Sequence, residues 1–281
     1  MTDQHSLTAD DAPTASGMPM LGLGTWENTD PEDCRTAVAT ALETGYRHVD
    51  TAQIYGNEAE VGDGIARADV DREEVFLATK VWIDNLAPED VRATTEASLD
   101  RLGVDAVDLM YVHWPAREYD PEATLAAFDE LYDDGLVDRI GISNFEPRQV
   151  ADAVDRTDAP VFANQVECHP LLQQDGLREY AREDGHHLVA YSPIARNRVA
   201  DEPVLQEIAE KHDASPAQVS LAWLLSREAV APIPKAASRE HVAGNWAARD
   251  LELDAADLDR IEGLDRGERV VDFDAAPWNR V

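Results

Sequence analysis

YRHVDTAQIYGNEAEVG, residues 46–62, runs from a β-rich stretch through a polar turn into a helical pattern. Tyr46 to Ala52 reads as a strand, with Asp50 near its end and Tyr55 on the turn just after it. A carboxylate and a phenol meet where a strand gives way to a helix, and some folds keep their chemistry at such junctions.

The unit recurs along the chain. Strand-like runs fall at 20–25, 46–52, 75–81, 107–114, 139–144, 162–167, 187–193 and 231–236. Amphipathic stretches separate them. The stretch at 31–45 opens with Pro31 after Asp30 and closes on Gly45; those at 87–103 and 121–135 also carry early acids and end in Gly. At 215–228, Ser215 is the N-cap and Pro216 the first helical residue. Eight alternations predict an α/β fold, a single-domain (β/α)8 TIM barrel over 18–281 behind a polar leader at 1–17. The tail after Asp265 lacks a helical period and is expected to run back over the surface. An open doubly wound sheet is the rival. Its dinucleotide fingerprint fails twice, with Glu27 after Gly22-Leu-Gly24 and Arg67 after Gly62-Asp-Gly64.

Composition narrows the function. The 281 residues carry a formal charge of -33, from 24 basic and 57 acidic side chains, yet 44% are hydrophobic and fall in regular blocks. That pattern predicts a folded, carboxylate-rich protein suited to a very salty cytoplasm, where the Debye length shrinks to ~3 Å at molar salt. Nucleic acid is not an expected partner, because no basic face meets phosphates. A membrane is not expected either: no apolar run reaches spanning length, and the N-terminus lacks a signal peptide's basic start and apolar middle. Cys34 and Cys168 have no metal or redox spacing and are expected to be buried thiols in a reducing, cytoplasmic protein.

In a barrel of this kind, chemistry gathers at the C-terminal strand ends. Those ends carry Gly24, Thr25 and Trp26; Asp50, with Tyr55 on the loop; Lys80 and Trp82; His113 and Trp114; Ser143 and Asn144; Gln165 and Glu167; Tyr191 and Ser192; and Lys235. Any one of them has an ordinary explanation as packing or a solvated charge. Asp, Lys and His on three neighbouring strands at one level do not. An ammonium beside a phenol favours the phenolate, and a buried ammonium needs a carboxylate partner. Lys80 is therefore expected to acidify Tyr55, Asp50 to hold Lys80 charged, and His113 to orient a carbonyl oxygen. Such a set protonates an oxygen as it gains negative charge, which carbonyl reduction by hydride requires.

From GLGTW (22–26) to the final helices, the chain resembles the aldo-keto reductases, as an acidic member of haloarchaeal type. The resemblance rests on DTAQIYGNEAEVG (50–62), ATKVW (78–82), YVHWP (111–115), GISNF (141–145), NQVECHP (164–170), YSP (191–193) and IPK (233–235). It implies a catalytic tetrad of Asp50, Tyr55, Lys80 and His113, and NADPH as cofactor with NADH as the alternative. Ser143, Asn144 and Gln165 would hold the carboxamide, and Tyr191 would stack on the nicotinamide. Gly24 and Thr25 would lie near the ribose and Ser192 near the pyrophosphate; Lys235, Ser238, His241 and Asn245 would complete the cofactor set. Trp26, Trp82 and Trp114, with His113, would wall the pocket for a carbonyl or alcohol substrate. The phosphate segment, KAASREHVAGN (235–245), departs from the family pattern: Ala236 replaces a Ser, His241 an Arg and Gly244 a Glu. Arg196, Arg198, Lys235 and Arg239 are expected to form a basic island. A monomer is expected. Two alternatives stay open. One is a non-catalytic nicotinamide-binding sensor on the same fold. The other is a metal-dependent hydrolase using His48, Asp50, His113 and Glu167, which Lys80 would oppose electrostatically.

Overall fold

The computed structural model describes residues 14–15 and 17–279; of the expected leader, residues 1–13 and Ser16 lie outside them. A short antiparallel hairpin, β1 (Thr14–Ala15) and β2 (Met18–Pro19), precedes the barrel. Eight parallel strands follow: β3 (Leu23–Gly24), β4 (His48–Asp50), β5 (Phe76–Val81), β6 (Leu109–Val112), β7 (Ile140–Ser143), β8 (Val161–Glu167), β9 (His187–Tyr191) and β10 (Val230–Pro232). Each sits within or beside an expected run, but most are shorter. At the end of β10 and just beyond it, Gly22 N donates to Pro232 O at 3.0 Å and Gly24 N to Pro234 O at 3.1 Å, which joins the last strand to the first and closes the barrel. Among the described residues, no helix is long and apolar enough to cross a membrane.

The helices follow their local signals. In α1 (Pro31–Thr44), Asp30 Oδ1 accepts from the Glu32 and Asp33 amides, and Gly45 ends the helix at φ 125°. In the helix Pro216–Leu225, Ser215 and Gln218 form a reciprocal capping box. α2 (Glu58–Arg67) meets the end of α3 (Pro88–Leu102) at Gly62, where an added Cβ would stand 2.3 Å from Leu102 O. Because the obstacle is backbone, Gly62→Ala should cost about 1–3 kcal/mol by overpacking, read as a lower urea midpoint with an unchanged slope.

Period-two alternation puts every second residue of a strand inside the barrel. Phe76, Ala78, Leu109, Tyr111, Ala163, Val189, Ala231 and Ile233 pack there as one buried cluster, which Met18 of the hairpin joins. His48 Nδ1 contacts Pro19 O at 3.2 Å at this lower end. Moving up the same inward faces, the side chains become Asp50, Lys80, His113, Gln165, Tyr191 and Lys235. The apolar floor is thus capped by polar groups held at the strands' C-terminal ends.

Candidate active site

A cavity of about 540 Å³ opens at those ends. Its floor is built on the register between β4 and β5, which pairs Asp50 with Ala78 and leaves Lys80 one pleat higher. Lys80 and Asp50 are both buried and form an ion pair through Nζ and Oδ1. Lys80 Nζ also donates to Thr51 O at 2.8 Å and reaches Tyr55 Oη at 3.4 Å. Gln165 Nε2 donates to Asp50 Oδ2 at 2.7 Å, so both carboxylate oxygens are engaged. Burial lowers the Lys80 ammonium's pKa, and the Asp50 charge opposes that effect.

Tyr55 sits half-buried on a 3-10 turn, Gln53–Tyr55, that Gly56 ends in the left-handed region at φ 66°. Its phenol corrects one sequence-based expectation. The pKa is pushed well above 10, by burial first and by Asp50 second, whereas Lys80 was expected to lower it. Removing solvent from a phenolate in this site outweighs an ammonium whose charge Asp50 largely cancels. The phenol therefore holds its proton at neutral pH. His113 lies edge-on to Tyr55, with ring centroids 5.9 Å apart, and to Trp82, at 5.2 Å. Burial, and then Lys80, hold its pKa well below 6.5, so the imidazole is neutral. Among the described residues its Nδ1 is buried without a hydrogen-bond partner, which leaves Nε2 as the ring nitrogen open to the cavity that His113 lines.

Two residues that fix this geometry carry no sign of it in the sequence, although both lie within 46–62. Gln53 uses its whole amide: Oε1 accepts from Trp82 N and Asn85 Nδ2 at 2.9 Å each, and Nε2 donates to Thr94 O at 3.2 Å and Ser98 Oγ at 3.3 Å. It ties the Tyr55 turn to the Trp82 wall. Asn57 accepts from Thr51 Oγ1 at 3.0 Å and donates to Thr25 O at 2.9 Å, joining that turn to the loop after β3. Each was hidden because a Gln or Asn on a turn signals only local structure until its distant partners are known.

The expected carboxamide residues converge on one wall. Ser143 Oγ donates to Gln165 O at 2.8 Å, and Asn144 Nδ2 donates to Ser143 Oγ and His113 O at 3.0 Å each. Tyr191 Oη donates to Asn144 Oδ1 at 2.8 Å. Asn144 and Ser192 adopt left-handed backbone, at φ 65° and 48°. Gly24, Thr25 and Lys235 also line the cavity. Ser238, His241 and Asn245 do not. They lie in or beside the helix Arg239–Ala247, where Ser238 Oγ caps the His241 amide at 3.2 Å, His241 is exposed and Asn245 is buried. The basic island is half neutralised. Arg198 pairs with Glu268 at 2.6 Å and Arg239 approaches Glu43 at 3.8 Å, whereas Arg196 and Lys235 face the cavity. The Arg196 guanidinium lies 4.5 Å over the Trp26 ring, bridging the loops after β9 and β3.

Trp26 stands partly exposed at the rim, Trp82 is half-buried, and Trp114 is buried against Phe273. The tail after Asp265 thus does more than run over the surface. Val271 and Phe273 form part of the cavity wall. The four residues of the metal alternative are not drawn together. Glu167 is bound by His169 and by tail amides, and His48 lies below Asp50 at the hairpin. Both cysteines are buried, and burial raises their thiol pKa values to about 11 for Cys34 and about 12 for Cys168.

The sequence pattern of the aldo/keto reductase family matches residues 17–266. The chain is 39% identical over 253 residues to a glyoxal reductase of Bacillus subtilis, covering 90% of this chain and 91% of that protein. It is 40% identical over 257 residues to a methylglyoxal reductase of Escherichia coli O157:H7, covering 90% and 96%. Among solved structures, a Bombyx mori aldo-keto reductase in complex with NADP superposes with a TM-score of 0.86 at 31% identity, covering 92% of each chain. Coverage on this scale, together with a barrel of the same shape, shows that the chain belongs to the aldo/keto reductase family.

Proposed function

We propose that this enzyme reduces small aldehydes and ketones, dicarbonyls such as methylglyoxal among them, with NADPH as the cofactor and NADH as the alternative. The observation that carries the proposal is the buried Asp50–Lys80 pair, with Lys80 Nζ 3.4 Å from Tyr55 Oη on the cavity floor. The donor set fits a nicotinamide nucleotide. Ser143, Asn144 and Gln165 present amide and hydroxyl groups beside the flat Tyr191 ring, and Lys235 and Arg196 bring positive charge to the cavity of a protein whose net charge is -33. When bound, a reduced nicotinamide supplies the hydride.

The chain's own residues handle the proton. A carbonyl oxygen seated between Tyr55 Oη and His113 Nε2 accepts a hydrogen bond from each. Neutral His113 orients the oxygen without competing as an acid. Tyr55 keeps its proton until negative charge develops on that oxygen and then transfers it. Lys80 stabilises the resulting phenolate, and Asp50 keeps Lys80 in place. The aromatic walls from Trp82 and Trp114 exclude water, which strengthens these interactions.

The test follows NADPH absorbance with methylglyoxal and an aromatic aldehyde at molar potassium chloride, the medium the acidic surface favours. Saturable NADPH oxidation is expected. Cofactor binding without turnover across a carbonyl panel would overturn the proposal in favour of a nucleotide-binding sensor. The pH dependence is a second check. Because burial holds His113 neutral, kcat/KM should stay level from about pH 6 to 8, with no limb near the imidazole value of ~6.5. Activity should fall only on the alkaline side, as Tyr55 ionises above its ordinary value. A titration midpoint near pH 6.5 would contradict a neutral His113.

A further inference from the structure

Glu167 ends β8, lies in a motif of the sequence, and has no part in the proton transfer described above. It is fully buried, yet it is a carboxylate, and a buried carboxylate is costly unless donors surround it. Three do. Oε1 accepts from Val270 N at 2.6 Å and from His169 Nε2 at 2.8 Å, and Oε2 accepts from Val271 N at 2.8 Å. Two of these donors are consecutive amides of the tail, more than a hundred residues further along the chain. The tail then places Val271 and Phe273 in the cavity wall, with the Phe273 ring edge-on to Trp114 at a centroid distance of 4.6 Å.

Accordingly, we propose that Glu167 is a positioning residue for substrate size: by gripping the Val270 and Val271 amides it sets how closely the Val271–Phe273 wall approaches the substrate. The inference rests on the carbonyl-reductase function proposed above. A bulky aryl aldehyde fills the cavity and touches this wall, whereas a small dicarbonyl is held chiefly by Tyr55 and His113. Loosening the grip therefore weakens the hold on the large substrate selectively. A hydrophobic contact of this kind is worth about 10-fold or more in discrimination. Glu167→Gln preserves volume but turns one acceptor arm into a donor that faces another donor.

The test measures kcat and KM for methylglyoxal and for a naphthaldehyde in wild type, Glu167→Gln, Phe273→Ala and the double variant. Glu167→Gln is expected to raise the naphthaldehyde KM about 10-fold and the methylglyoxal KM less than about 2-fold. In the Phe273→Ala background the same change should add little, because the ring that makes most of the contact with the large substrate is already gone. Glu167→Asp should fall between wild type and Gln, and it carries the test if Gln does not fold. Equal losses with both aldehydes, or multiplicative effects in the double variant, would overturn the inference. Failure of the wild type to reduce either aldehyde would instead remove the proposed function.

Discussion

Tyr55→Phe is expected to lower kcat for methylglyoxal by about 10²–10⁴-fold, the range for loss of a positioned general acid. Stability and cofactor affinity should change little, and the structure explains why. Lys80 Nζ keeps Asp50 and Thr51 O when the phenol hydroxyl goes, so no charge is stranded. The ring stays packed edge-on to His113, and the turn is still held by Gln53. The site loses a proton donor and little else. Thermal melts and fluorescence titration with NADPH separate this outcome from misfolding. A variant that binds cofactor and still turns over at the wild-type rate would mean that Tyr55 is not the acid.

Asp50→Asn should be the most destabilising single change in the site, at about 3–5 kcal/mol, because it leaves the Lys80 ammonium buried without its counter-charge. It also deprives Gln165 Nε2 of its anionic acceptor. Turnover should fall with it, since a Lys80 that sheds its proton no longer stabilises a phenolate. Urea unfolding at fixed potassium chloride measures the stability loss. Because both groups are fully buried, that loss should persist from low to molar salt. Exposed pairs such as Arg67–Glu32 should weaken as salt rises. Stability within about 1 kcal/mol of wild type would contradict a charged, mutually dependent pair.

Local patterning made much of this legible. Asp30-Pro31, Ser215-Pro216 and the closing glycines marked helix ends because capping is settled within a few residues. Inward-facing Asp50, Lys80 and His113 were visible because a barrel interior is otherwise apolar. What stayed hidden depends on distance along the chain or on solvation. Gln165 meets Asp50 across 115 residues, and Val270 meets Glu167 across 103, and neither pairing leaves a periodic trace. The direction of the Tyr55 shift depends on how much water burial removes, which no spacing encodes. Of the arginines in the proposed basic island, Arg198 and Arg239 turned out to face acids contributed by remote segments.

The most direct measurement is where a carbonyl oxygen sits in a crystal structure of the enzyme with oxidised NADP and a bound aldehyde. That oxygen is expected within about 2.6–3.2 Å of both Tyr55 Oη and His113 Nε2. An oxygen bound elsewhere in the cavity, with Tyr55 out of hydrogen-bond reach, would contradict it.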